Sequence, residues 1–145
     1  MTSPQPDGHT PRPSIELFAP KELTTAQHTW GREILVCEMP QFIGKILLMN
    51  AGAAGGLQYH RDKVEAFFLD EGQAFVDYDA GDGKLTRLVM APGMTVQVPA
   101  GAVHRVTALT ACKFLEWSTP VYNDRVRVEA DYGEPEPTGG LPTTS

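Results

Sequence analysis

With 145 residues, 41% of them apolar, the chain has material for one hydrophobic core and too little for two. Its net charge of -6, with twelve basic residues scattered from Arg12 to Arg127, excludes the clustered Lys and Arg that nucleic acid binding needs. No apolar run approaches the roughly 20 residues of a membrane span, and the polar, proline-rich start from Met1 to Pro13 lacks the order of a signal peptide, so a cytoplasmic protein without membrane contact is expected.

In chain order, Met1 to Ser14 is rich in Pro, Thr and Ser and reads as a flexible tail, because such a composition cannot bury enough surface to offset its ordering entropy. Pro20 to Gln27 is the one stretch with the pattern of a short helix. Strand-like runs follow: Ile34 to Glu38, Lys45 to Asn50, Val64 to Asp70, Gln73 to Asp79, Lys84 to Met90, Met94 to Val98, Val103 to Ala108, Cys112 to Trp117 and Arg125 to Glu129. Many are rich in Val, Ile, Phe and Thr, and turn formers such as Asp70-Glu71-Gly72 and Ala80-Gly81-Asp82-Gly83 separate them. Short strands at a spacing of about ten residues predict an antiparallel all-β sandwich or barrel. Glu134 to Ser145 reads as a second tail, leaving residues 15–133 as one domain. Cys37 and Cys112 lie in strand-like runs without paired spacing and are expected to be buried thiols.

Two segments carry chemistry. From Gly52 to Gly72 the sequence reads GAAGGLQYHRDKVEAFFLDEG. A strand sends alternate residues to one face, so Gln58 and His60 point the same way, and Glu65 rejoins them if the chain bends between Arg61 and Val64. The second segment, GMTVQVPAGAVHRVTA from Gly93 to Ala108, turns at Pro99-Ala100-Gly101 and offers His104 as a fourth donor.

These segments resemble the two signature motifs of the cupin superfamily. The first motif is glycine, five residues, His-x-His, three or four residues, glutamate, six residues, glycine. Gly52 to Gly72 fits it at every spacing, with Gln58 in the first histidine's place. The second is matched by Gly93, Pro99, Gly101 and His104, with Ala108 where asparagine is usual. Trp30-Gly31, Lys45, Glu116 to Pro120, Asp124, Arg127 and Asp131 to Gly133 further resemble a small bacterial cupin subgroup grouped with sugar and sugar-phosphate isomerases.

The resemblance implies a double-stranded β-helix, the jelly-roll barrel, with one divalent metal ion held by Gln58, His60, Glu65 and His104. Gln-x-His is similar to the zinc site of cupin-type phosphomannose isomerases, so zinc is expected ahead of Mn, Fe, Co or Ni, which the spacing does not separate. Strand alternation then turns Lys45, Leu47 and Met49, and Glu65, Phe67 and Leu69, toward the cavity, making a mostly apolar pocket for a small-molecule substrate. Lys45 and Glu65 are the candidate catalytic residues, Lys45 as substrate anchor or proton shuttle.

A divalent ion that polarises a carbonyl favours enolisation. Enolisation leads to polyketide cyclisation by aldol ring closure or to aldose-ketose isomerisation. The apolar pocket favours the cyclase, and the motif resemblance favours the isomerase. A sugar phosphate would need a cationic clamp, yet of Lys45, Arg61, Lys63 and Arg105 several are expected to face outward. A metal-dependent dioxygenase and a non-enzymatic small-molecule-binding cupin are the other classes. A homodimer is expected from the way small cupins cover edge strands.

Overall fold

A computed structural model describes residues 11–23 and 30–135. Eleven strands run in chain order: β1 (Lys21–Glu22), β2 (Gly31–Glu38), β3 (Ile43–Met49), β4 (Gln58–His60), β5 (Glu65–Glu71), β6 (Ala74–Asp79), β7 (Leu85–Met90), β8 (Thr95–Val98), β9 (His104–Ala108), β10 (Cys112–Ser118) and β11 (Arg125–Arg127). They form two antiparallel sheets, one in the order β1-β2-β3-β10-β5-β8 and one in the order β11-β4-β9-β6-β7. This is the jelly-roll arrangement expected. Among the described residues no helix is long and apolar enough to cross a membrane.

Alternation decides what lies inside. On β10, Cys112, Phe114, Glu116 and Ser118 are buried, and on β5 Glu65, Phe67 and Leu69 are buried, while Lys113 and Trp117 face outward. Phe67 and Phe114 meet edge to face at 5.8 Å and pack with Trp30, Met49, Leu69, Val76, Met90 and Val98 between the two sheets.

Three expectations change. Pro20 to Gln27 does not begin a helix: Lys21 and Glu22 pair with Leu35 and Ile34 as β1, because the free edge of β2 satisfies their backbone, while residues 24–29 lie outside the described residues. Glu129 leaves the predicted last strand and opens a four-residue 3-10 turn, Glu129–Tyr132, ended by Gly133 in the left-handed conformation. Cys37 is half-buried rather than buried, and Cys112 is buried; both are free. Most of the two expected tails, residues 1–10 and 136–145, lies outside the described residues.

Two motif glycines have physical reasons. Gly72 has φ 98°, and a Cβ there would stand 2.3 Å from the Ala111 carbonyl oxygen, so only glycine closes the β5–β6 turn. Gly101 has φ 86° and donates its N–H to the His60 carbonyl at 2.8 Å, tying the turn before β9 to β4.

Candidate metal centre

Gln58 and His60 share the inner face of β4, and Gln58 stands opposite His104 at the start of β9. After His60 the chain bends and crosses to the other sheet, where Glu65 opens β5 between Val98 and Ser118. The bend expected between Arg61 and Val64 is therefore a change of sheet. Asn123, with φ 59°, helps turn the chain into β11, and Asp124 locks the crossing by accepting the N–H groups of Asp62 and Lys63, each at 2.8 Å.

The result is a buried cluster: His60, Glu65 and His104 present ligand atoms that all lie within 4.8 Å of one another. His104 Nε2 is 3.2 Å from Glu65 Oε1, and His60 Nε2 is 3.8 Å from Glu65 Oε2. Gln58 is buried on the same cavity wall. His60 Nδ1 lies 3.1 Å from Asp124 Oδ1, and His104 Nδ1 lies 3.0 Å from the Ala102 carbonyl oxygen. A carboxylate or carbonyl oxygen only accepts, so in each neutral ring the proton sits on Nδ1 and the Nε2 lone pair faces the cluster.

Burial lowers the His60 pKa, against the pull of Glu65, and keeps that imidazole neutral. Burial works to raise the Glu65 pKa, but the His104 hydrogen bond and the Lys63 and histidine charges outweigh it and hold the carboxyl well below the usual range. Burial works to lower that of His104, and its bond to Glu65 reverses the sign, so it rises.

These residues fit a metal ion. Gln58 Oε1 and His60 Nε2 are buried without a hydrogen-bond partner, which is costly unless something positive lies between them. A divalent cation would satisfy both, and would replace the proton that otherwise holds His104 against Glu65. Two imidazoles, one carboxylate and one amide oxygen suit zinc and its first-row neighbours.

The cluster lies in a cavity of about 100 Å³, whose lining includes Trp30, Leu47, Met49, Phe67, Val106 and Phe114 with Gln58, His60, Glu65 and His104. Of the expected pocket residues, Leu47, Met49 and Phe67 reach it, while Leu69 is wholly buried in the core outside the lining. Lys45 is also buried but does not line the cavity: its Nζ lies 2.5 Å from Glu33 Oε1. Glu33 and Glu116 line the cavity instead.

Among the described residues no Lys or Arg is in the lining. Lys63, one of the cations considered for an outward position, is buried with Nζ 3.1 Å from Glu65 Oε2. Its place follows from the crossing that Asp124 fixes, which strand alternation does not describe. Arg61 is exposed, and Arg105 pairs with Asp77 and Glu134 on the far side of β9.

Sequence reasoning gave no role to Asp124, Glu33 or Lys63. Asp124 had a signal, since it stands in a segment shared with the cupin subgroup, but nothing in the spacing connects it to His60, 64 residues away.

No curated protein matches the chain. Among solved structures it is similar to the capsular polysaccharide assembling protein CapF of Staphylococcus aureus, at 14% identity and TM-score 0.66 over 76% of this chain and 32% of that one. It is similar to KdgF of Halomonas sp., at 20% identity and TM-score 0.56 over 66% of this chain and 83% of that one. It is also similar to oxalate decarboxylase of Lactobacillus farciminis, at 18% identity and TM-score 0.65 over 83% of this chain and 38% of that one. The chain thus spans about a third of the CapF length, and these identities speak to the fold alone. The cupin domain model matches residues 45–118, just over half of the chain and the stretch that contains the His60–Glu65–His104 cluster and Gln58, and the chain belongs to the cupin family.

Proposed function

We propose that the chain is a metal-dependent cupin enzyme that enolises a carbonyl substrate in a mostly apolar pocket, and that its reaction is aldol-type ring closure of a polyketide. The observation that carries this reading is the lining itself: a buried His60–Glu65–His104 cluster under walls of Trp30, Leu47, Met49, Phe67, Val106 and Phe114, with no Lys or Arg among the described residues to clamp a phosphate. That lining weighs against the sugar-phosphate isomerase reading. A cavity of about 100 Å³ is of the order of the roughly 150 Å³ cavity known to hold benzene, so it suits a single ring as it closes.

Gln58, His60, Glu65 and His104 would hold the ion, zinc first among the candidates. When bound, it supplies a Lewis acid that draws electron density from a carbonyl oxygen. The protein's own part is to orient and to exclude water. Asp124 and the Ala102 carbonyl fix the two imidazoles, the aromatic and aliphatic walls fold an uncharged chain back on itself, and burial keeps the reactive enolate from solvent. We place this activity in a cytoplasmic homodimer.

Heptane-2,4,6-trione tests the reading, because closing its C1 onto C6 with loss of one water gives a methylresorcinol detectable by chromatography. The zinc-loaded protein should accelerate that closure over zinc in buffer. No acceleration, together with interconversion of a phosphorylated aldose and ketose, would move the assignment to an isomerase.

A further inference from the structure

Among the described residues three carboxyl groups line the cavity, and two of them are engaged. Glu33 accepts from Lys45 at 2.5 Å, and Glu65 faces His104 and Lys63. Glu116 makes no hydrogen bond and no ion pair with any described residue, although it is only 7% exposed. It lies mid-strand on β10, opposite Lys45 of β3 on one side and Phe67 of β5 on the other, with its side chain on the cavity. Ser118, the next inward residue of β10, stands opposite Glu65, so Glu116 is one inward step along the sheet from the metal cluster.

A buried carboxyl without a hydrogen bond costs free energy, and packing alone would be better served there by leucine or methionine. A substrate that exchanges a proton with it gives it a role. We propose that Glu116 is the catalytic acid-base group of this pocket, an inference that rests on the enolisation reading above. Its carboxylate takes the proton from the carbon beside the substrate carbonyl: that C–H bond breaks, an O–H bond forms on Glu116, and the C–H electron pair shifts toward the carbonyl oxygen. The enolate carbon then bonds to a second carbonyl carbon, and Glu116 returns the proton to the alkoxide so formed. Glu116 ends as it began, and no oxidant or reductant is consumed.

Its surroundings suit that exchange. Burial pushes the Glu116 carboxyl up to about 7, opposed by Lys63 and Lys45 and helped by Glu65 and Glu33, the charged groups that face it from the neighbouring elements. A base poised near the working pH balances proton affinity against the fraction ionised.

The probe is 2-hydroxyacetophenone, one ring and one carbonyl with an adjacent C–H, in D2O with zinc-loaded protein, followed by proton NMR. We expect the parent to exchange the α-proton, Glu116→Gln to bind zinc fully and lose about 10²-fold or more of the rate, and Glu116→Asp to recover part of it. Full exchange by zinc-loaded Glu116→Gln overturns the role of Glu116 and leaves the enolisation reading standing. No exchange by the zinc-loaded parent overturns both.

A second measurement needs no turnover. In zinc-loaded parent labelled with carboxyl-13C glutamate, saturation with 2-hydroxyacetophenone should shift one resonance that titrates near neutral pH, identified by its absence from Glu116→Gln or, should that variant not fold, from Glu116→Asp. If every glutamate carboxyl titrates in the ordinary range and none responds to the probe, the assignment fails.

Discussion

The two sheets bring different chemistry to the same cavity. From the five-stranded sheet come Gln58, His60 and His104, the two imidazoles being oriented by Asp124 and the Ala102 carbonyl. From the six-stranded sheet come Glu33, Glu65 and Glu116, with Lys45 buried among them and Lys63 on the crossing. Three carboxyl groups and two ammonium groups share that side, and Glu65 reaches the boundary, facing His104 and His60. The metal cluster forms where a set of imidazole and amide donors meets a buried layer of carboxyl and ammonium groups. One wall can bind an ion, and the other can hold and move protons.

Breaking the donor wall should have the largest effect. His60→Ala and His104→Ala each should strip the ion, read by elemental analysis after dialysis, whereas Gln58→His should retain or tighten it because imidazole is the stronger ligand. Equal metal in the two alanine variants and the parent would show that the wall does not bind an ion.

The charged layer should answer through stability. Lys45→Met leaves Glu33 buried without its ammonium partner and should cost about 3–5 kcal/mol in denaturant unfolding. Adding Glu33→Gln should recover part of that loss, and no recovery would mean that the pair is not the source.

Glu116 sharpens the comparison through pH. Its folded-state pKa is raised above the ordinary 4.5 to about 7, so its contribution to stability is fully present below pH 4.5 and is lost as pH rises through 7. Metal-free parent should therefore lose stability relative to metal-free Glu116→Gln between those values, by at most about 3 kcal/mol. Parallel stability curves for the two proteins would contradict the shift.

The smallest effect is expected behind the donor wall. Asp124→Asn keeps the shape but weakens the hold on His60 Nδ1, and should lower metal affinity by roughly 10–100-fold. Competition with a chromophoric chelator measures it, and unchanged affinity would leave Asp124 as a loop brace only.

The same comparison explains what was legible in the sequence. Gln58, His60, Glu65 and His104 stand in two short segments whose spacing follows from local geometry: a strand alternation, a turn at Gly101 and a turn closed by Gly72. The charged layer follows from pairing. Lys45 stands opposite Glu116 because β3 and β10 are neighbours, and it pairs with Glu33 because β2 lies on the other side. Those contacts join residues far apart in the chain, and one residue's slip in register would turn every one of them outward. Alternation therefore turned Lys45 inward but did not show that it would stay out of the cavity lining with its ammonium against Glu33. It also gave no view of Lys63, which sits on a crossing between sheets and not on a strand.

The most direct test of the account is anomalous diffraction at the zinc edge from crystals of the zinc-loaded protein. The account predicts one strong peak between the two sheets, about 2.0–2.2 Å from Gln58 Oε1, His60 Nε2, His104 Nε2 and a Glu65 carboxylate oxygen. A peak elsewhere, or none among these four side chains, would contradict it.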